Sequence, residues 1–321
     1  MRDTFALADA YISLIPGQDL KDQLDRIISL LFGDPWMTPT VEEHAMSHAF
    51  DASLRSSDAG RQVGAVIVDD DGEILVTGVN EVPKPRGGQY WAGDDPDFRD
   101  FKVGYDINER QKLELITDIL SKLQAAGDWL SDGRQGIDIG VLARQATENG
   151  PLSETRVGDI LEFGRVAHAE MAAICTAARR GVAIKGSTMF STTYPCHECA
   201  RLIIASGIKR VVYVDPYPKS QVPEMYRHQI SEGPIFSDNV LMFEPFRGVA
   251  PRLYKSVFAM YERNREQLSG EYGQWNPAQA PPRLVSDAEA VSPVGEMEDG
   301  VISQMADALM SIGLLSLNPE T

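Results

Sequence analysis

Cys196 and Cys199 stand three residues apart in TTYPCHECARLIIASG, a run that reads as the end of a strand followed by the start of a helix. Thiols at that spacing support three chemistries. A redox pair needs nothing more than the helix start. A structural zinc knot needs two further ligands at compact spacing, and a catalytic metal centre needs one further ligand and an open position. The chain has only one other cysteine, Cys175, so no second Cys pair can close a knot. The odd cysteine count also argues against a disulfide framework and for a reducing, cytoplasmic setting.

Upstream lies His168-Ala169-Glu170, separated from the cysteines by one expected strand. At the first turn of a helix, His168 can reach a metal while Glu170 faces a substrate. Cys196 and Cys199 share a face at a helix N-terminus, where the dipole and free N–H groups favour thiolates. Three protein ligands leave the fourth zinc position open, as hydrolytic chemistry requires. His-x-Glu followed by Pro-Cys-x-x-Cys resembles the signature of the zinc nucleobase deaminases. That resemblance implies one catalytic Zn2+ held by His168, Cys196 and Cys199, with Glu170 moving protons during attack on a cytosine ring.

Three longer stretches extend the likeness over about residues 40–260: RSSDAGRQVGAVIVDDDGEILVTGVNEVP, HAEMAAI and TTYPCHECARLIIASGIKRVVYVDPYPKS. They resemble the deoxycytidylate deaminase branch of the cytidine deaminase superfamily. The resemblance implies a three-layer α/β/α sandwich with a mixed sheet, a deoxycytidine nucleotide (dCMP or dCTP) as substrate, and a homo-oligomer. Asn80 would then hydrogen-bond the nucleotide sugar, and Ala169 joins the substrate-contacting set. Val79 and Glu81 depart from the branch's Gly-Tyr-Asn-Gly-x-Pro segment, so regulation by dCTP there is not implied. LLFGDPWMTPT, NEVPKPRGGQYW, EFGRVAHAEM and PFRGVAPRLY are similar to bacterial anti-phage deoxycytidylate deaminases, which deplete dC nucleotides and commonly carry a P-loop kinase-like domain. No Gly-x-x-x-x-Gly-Lys-Ser/Thr run occurs in these 321 residues. By that resemblance these residues are either a stand-alone relative or a portion of a longer protein, and a kinase-like domain or regulator acting in trans is the candidate partner.

Arg61 and Lys219 are the cations expected to hold phosphate, since Arg binds it bidentately. Arg55, Lys84, Arg86 and Arg165 flank the same segments. Tyr217 and Tyr194 are candidates to border the base, and Tyr90-Trp91 reads as a lid or a loop anchor. His197 should face away from the cysteine stripe; His44, His48 and His228 have no partner motif; Cys175 is expected to be buried. The net charge of −17 disfavours a polynucleotide substrate, which wants a basic groove. A polynucleotide deaminase and a non-catalytic regulatory module are the competing functions. The intact Glu170 weighs against the second.

The supporting elements follow from periodicity. Helices are expected at 20–33 and 40–58 (with Thr40 as N-cap), then a hairpin over 62–80 turning at Asp69-Asp70-Asp71-Gly72. Residues 81–104 read as a long loop, 107–125 as a helix, and 138–148 and 154–163 as shorter helical pieces. From Val166 helix and strand alternate, as in a parallel-containing sheet. A strand over 238–246 and a helix starting at Pro251 close the pattern. The expected organisation is a helical segment 1–39, a deaminase domain 40–262 with an insertion at about 84–160, and a tail 263–321. That tail contains a linker (266–298) and an amphipathic helix near the end. No apolar run reaches the ~20 residues a bilayer requires.

Overall fold

The computed structural model describes residues 5, 7–14, 20–148, 150–153, 155–160, 162–232, 239–259, 271–276, 278 and 280. Contacts divide the chain into two units, residues 1–13 with 39–252, and residues 14–38 with 253–321.

In the first unit, β1 (Ala10–Tyr11) precedes α1 (Val41–Ser53) and the hairpin β2 (Gly64–Val68) and β3 (Ile74–Val79). The insertion contributes α2 (Ile107–Ala126) and α3 (Ile139–Glu148). Then come α4 (Ala169–Arg180), β4 (Thr188–Thr193), α5 (His197–Ser206), β5 (Arg210–Asp215), β6 (Ile230–Ser231), β7 (Leu241–Pro245) and β8 (Gly248–Val249). One sheet runs in the order β3-β2-β4-β5-β7-β6, and β1 pairs with β8 in a second. The β2 strand is antiparallel to both β3 and β4, whereas β4, β5, β7 and β6 run parallel. The sheet is therefore mixed, as expected.

All five residues of β2 are buried, the mark of a strand covered on both faces. Ala65 and Ile67 pack with Ala169, Ala173 and Ala177 of α4 and with Cys199 and Ile203 of α5. Val66 and Val68 face Ala45, Met46 and Ala49 of α1. The three layers are α1, the sheet, and α4 with α5. Small alanines on α1 and α4 let both helices sit close to the sheet. A Cβ on Gly78 would lie 2.1 Å from the Ala169 carbonyl oxygen, so only glycine permits β3 to underlie the start of α4.

Thr40 caps α1 in a full capping box with Glu43, as its type and spacing predict. The hairpin turns at Gly72, whose φ of 85° suits glycine. Four expectations need correction. The 154–163 segment forms only a 3-10 turn at Arg156–Asp159, since a single turn there has no long apolar face to bury. The 81–104 loop ends in a one-turn helix, Asp100–Val103, closed by left-handed Gly104. The helix after Pro251 is a 3-10 turn followed by Tyr254–Phe258, and residues 260–270 lie outside the described residues. Cys175 is exposed, because α4 turns its alanine stripe, not the Cys175 side, to the sheet.

In the second unit, helix Leu20–Leu31 buries Leu30, and Trp36 packs edge-on against Tyr272 at 5.0 Å. The linker expected over 266–298 lies outside the described residues except at 271–276, 278 and 280, and the terminal helix lies wholly outside them. Among the described residues, no helix is long and apolar enough to cross a membrane.

Candidate metal centre and active site

The metal ligands come from two helix starts. His168 is the N-cap of α4 and Cys196 the N-cap of α5, both with extended backbone. Sitting outside the helix frees His168 from the 100° step, so it and Glu170 can face one point. Cys196 and Cys199 occupy N-cap and N3, three positions apart on one side of the helix start. Nδ1 of His168 lies 3.3 Å from Cys196 Sγ and 3.4 Å from Cys199 Sγ. The three ligand atoms fall within 4.8 Å of one another. One imidazole nitrogen and two sulfurs at a buried point, with no fourth protein ligand among the described residues, suit zinc in an open site. His197 is not in this cluster.

Electrostatics inside the cluster follow from that crowding. A hydrogen bond from Cys199, then one with His168, holds the Cys196 thiol down to about 4. Its hydrogen bond with Cys196 pushes His168 up to about 9 against the opposing effect of burial. Burial pushes the Cys199 thiol well up.

Glu170 is 3% exposed, and burial raises its carboxyl above the usual range. Cys199 Sγ lies 3.3 Å from its Oε2, and Ser191 Oγ donates to its Oε1 at 3.0 Å. Ser191 is fully buried on β4, opposite Ala65 and Tyr213 in register, and so lies on the α4 face of the sheet. Sequence reasoning missed it. The signal was a serine in the interior of an otherwise buried strand.

The cluster opens into a cavity of about 770 Å³, of a size for a small molecule. His168, Glu170 and Cys196 line it together with Arg61, Asn80, Tyr194, Tyr217 and Lys219. The Arg61 guanidinium sits over the Tyr217 ring at 5.0 Å. Asn80 also braces the backbone beneath the cavity. Its Oδ1 accepts from Val63 N at 2.7 Å and its Nδ2 donates to Arg61 O at 2.6 Å, which pins the segment carrying Arg61. Ala169 does not line the cavity and is fully buried against the sheet. Arg165 lines it while bonded to Asp100 and to Phe98 O. Lys84 pairs with Asp94, Arg55 stacks on Trp91 at 3.8 Å, and neither they nor Arg86, Tyr90 or Trp91 line the cavity. Tyr90 is buried and Trp91 exposed, an anchor beside a stacking surface.

Glu81, the departure from the expected segment, is buried, and its carboxylate accepts from Ser57 N at 3.0 Å, Ser57 Oγ at 2.6 Å and Val82 N at 2.8 Å. It fastens the loop at 56–58, which borders the cavity. Backbone bonds between Glu81 and Ala167 then lead straight into His168. Asp58, whose carboxyl is raised by burial, and Phe101, Tyr105, Asn108 and Lys112 of the insertion complete the wall. None of these was singled out from sequence, because only the folded 56–61 loop and the folded insertion bring them to the cavity.

Residues 39–215 match the family model described as the cytidine and deoxycytidylate deaminase zinc-binding region. The deoxycytidylate deaminase of Enterobacteria phage T2 is 50% identical over 54 residues, which is 17% of this chain and 29% of that protein. The human deoxycytidylate deaminase is 26% identical over 179 residues, covering 56% of this chain and 67% of that protein. The chain spans less than a third of the length of the phage relatives T2 and T4. A crystal structure of dCMP deaminase from the cyanophage S-TIM5 with dCMP and dUMP aligns at 20% identity and a TM-score of 0.35, over 65% of this chain and 98% of that one. With its zinc-ligand triad and buried glutamate in place, the chain belongs to the cytidine and deoxycytidylate deaminase zinc-binding family.

Proposed function

We propose that the protein hydrolytically deaminates deoxycytidine nucleotides, dCMP or dCTP, to the corresponding deoxyuridine nucleotides and ammonia. The observation that carries this reading is Glu170, buried beside the His168–Cys196–Cys199 cluster at the wall of a cavity that also holds Arg61 and Lys219. Bound zinc supplies Lewis acidity and brings the pKa of water towards about 7. Glu170 takes the proton from the water that adds to C4 and delivers it to ring N3. It then takes the proton of the new C4 hydroxyl and passes it to the amine as the C4–N bond breaks, leaving a C4 carbonyl and free ammonia. Ser191 holds one oxygen of Glu170 while the other stays within reach of the cluster. Arg61, braced by Tyr217 and by Asn80's grip on its own segment, and Lys219 supply positive charge for the phosphates.

The test is ammonia release from dCMP, dCTP, CMP, deoxycytidine and a single-stranded oligonucleotide. Turnover of dCMP or dCTP is expected. Glu170→Gln should lower kcat by at least about a hundredfold with zinc content unchanged. Activity confined to the oligonucleotide, or undiminished in Glu170→Gln, would overturn the reading.

Resemblance to the anti-phage deaminases supports a further part of the proposal. In it the activity depletes dC nucleotides during infection, in a homo-oligomer, under a kinase-like domain or regulator in trans. Plaque counts on cells expressing the wild type should fall relative to cells expressing Glu170→Gln. Equal counts would remove the defence role.

A further inference from the structure

Helix Leu20–Leu31 carries more apolar surface than its surroundings cover. At 3.6 residues per turn, Leu30, Ile27, Leu20, Leu31, Leu24 and Ile28 follow one another around about half of its circumference. Phe32, whose N–H bonds to Ile28 O at 2.9 Å, extends that arc by one position. Leu30 is buried and Ile27 half-buried. Leu20, Leu24, Ile28 and Phe32, each four residues after the last, are 38, 40, 49 and 37% exposed. They form a continuous row, unlike the single apolar residues scattered over any protein surface. The tail of the same chain meets this row at its end. Tyr272 packs edge-on against Trp36 at 5.0 Å, and Trp275 Nε1 donates to Phe32 O at 3.3 Å.

From there the chain runs on to VISQMADALMSIGLLSL, residues 301–317, which lie outside the described residues. In that sequence Ile302, Met305, Leu309 and Ile312 recur at spacings of three and four. Ser303, Gln304, Asp307 and Ser311 fall on the opposite side of the same period, and Asp307 is the only charge in the segment. We propose that residues 301–317 dock as an amphipathic helix on the Leu20, Leu24, Ile28 and Phe32 row of their own chain. Rows at these spacings are the ridges that pack into one another's grooves. A flexible linker of about twenty residues spans roughly 25 Å. The 12-residue helix is about 18 Å long, so a tail anchored at Trp36 and Phe32 reaches all of the row. Such a short tether holds the segment at an effective concentration in the millimolar range. That favours the chain's own tail over a second copy at any lower protein concentration.

Two measurements on the zinc-loaded full chain test this. In the first, hydrogen exchange is read by mass spectrometry in wild type and in the double variant Leu24→Glu, Ile28→Glu, whose carboxylates interrupt the row. Amides of 301–317 should exchange at least about tenfold more slowly in wild type. Strands β2 and β4, in the other unit, should keep their protection in both proteins, which separates undocking from unfolding. In the second, the photo-crosslinking residue p-benzoylphenylalanine replaces Leu24. Irradiation should give a product of single-chain size in which position 24 is joined to a peptide from 301–317. Equal exchange of 301–317 in the two proteins overturns the proposal. So does a crosslink to any other segment, and so does a product of two-chain size, which would give the row to a second copy. If the double variant also loses protection in β2 and β4, the crosslink alone decides.

Discussion

Ser191 is the smallest part of the site with a consequence of its own. Its hydroxyl donates to Glu170, and a hydrogen bond to a carboxylate favours the charged form. Burial already pushes the Glu170 carboxyl up. Removing the donor in Ser191→Ala leaves burial less opposed, so the carboxyl rises further. The acidic limb of the kcat/KM profile should therefore move to higher pH, with kcat down by about tenfold, one hydrogen bond's worth. A pH–rate series on wild type and variant checks this, and an unmoved limb would show that Ser191 only fills space. Glu81 illustrates the same scale from another side. From sequence it is a departure from a segment pattern; folded, it is a buried acceptor for two donors of Ser57, which hold the 56–58 loop, and for Val82 N.

At the scale of elements, the decisive contact is between β3 and the start of α4. The Ala169 carbonyl lies so close over Gly78 that a methyl group there would overlap it at 2.1 Å. Gly78→Ala must lift the turn that bears His168 and Glu170 away from the sheet. Overpacking of this kind costs about 1–3 kcal/mol. A lower denaturation midpoint should accompany zinc loss measured by metal analysis, since the ligands move with the helix start. A midpoint that falls with zinc fully retained would show that the strand gives way instead of the helix. Both helix starts were legible in the sequence through His168-x-Glu170 and Pro195-Cys196-x-x-Cys199. What the pattern did not reveal is that His168 and Cys196 are both N-caps, lying just outside the helices they begin.

For the whole molecule, zinc couples the site to the fold. In the metal-free site His168 is pushed up to about 9, Cys199 is raised by burial, and Cys196 is held down to about 4. At pH 7 His168 and Cys199 are thus protonated and Cys196 is a thiolate. Zinc binding should release about two protons, and its apparent affinity should climb as pH rises through about 9, where His168 loses its proton, and go on climbing above it, where Cys199 does. Calorimetry in buffers of different ionisation enthalpy counts those protons, and zero release would contradict the ligand set. Because zinc binds the folded form, stripping it should also lower Tm by several degrees.

Much of this was determined by residue type and spacing alone. The zinc ligands, the glutamate set beside them, the α1 cap, the hairpin turn and the alternating helices and strands are local patterns, set by side-chain chemistry and by the 3.6- and 2-residue periods. The cavity was not. Arg61, Asn80, Asn108, Tyr217 and Lys219 come from segments far apart along the chain, and no local rule says which loops meet. The expected burial of Cys175 failed for the same reason, since which stripe of α4 faces the sheet was settled by packing. Ser191 beneath Glu170 and Glu81 over Ser57 are in place only because the sheet register and the loop packing bring them there. Short-range patterns carry the reaction, and long-range packing decides which groups surround it.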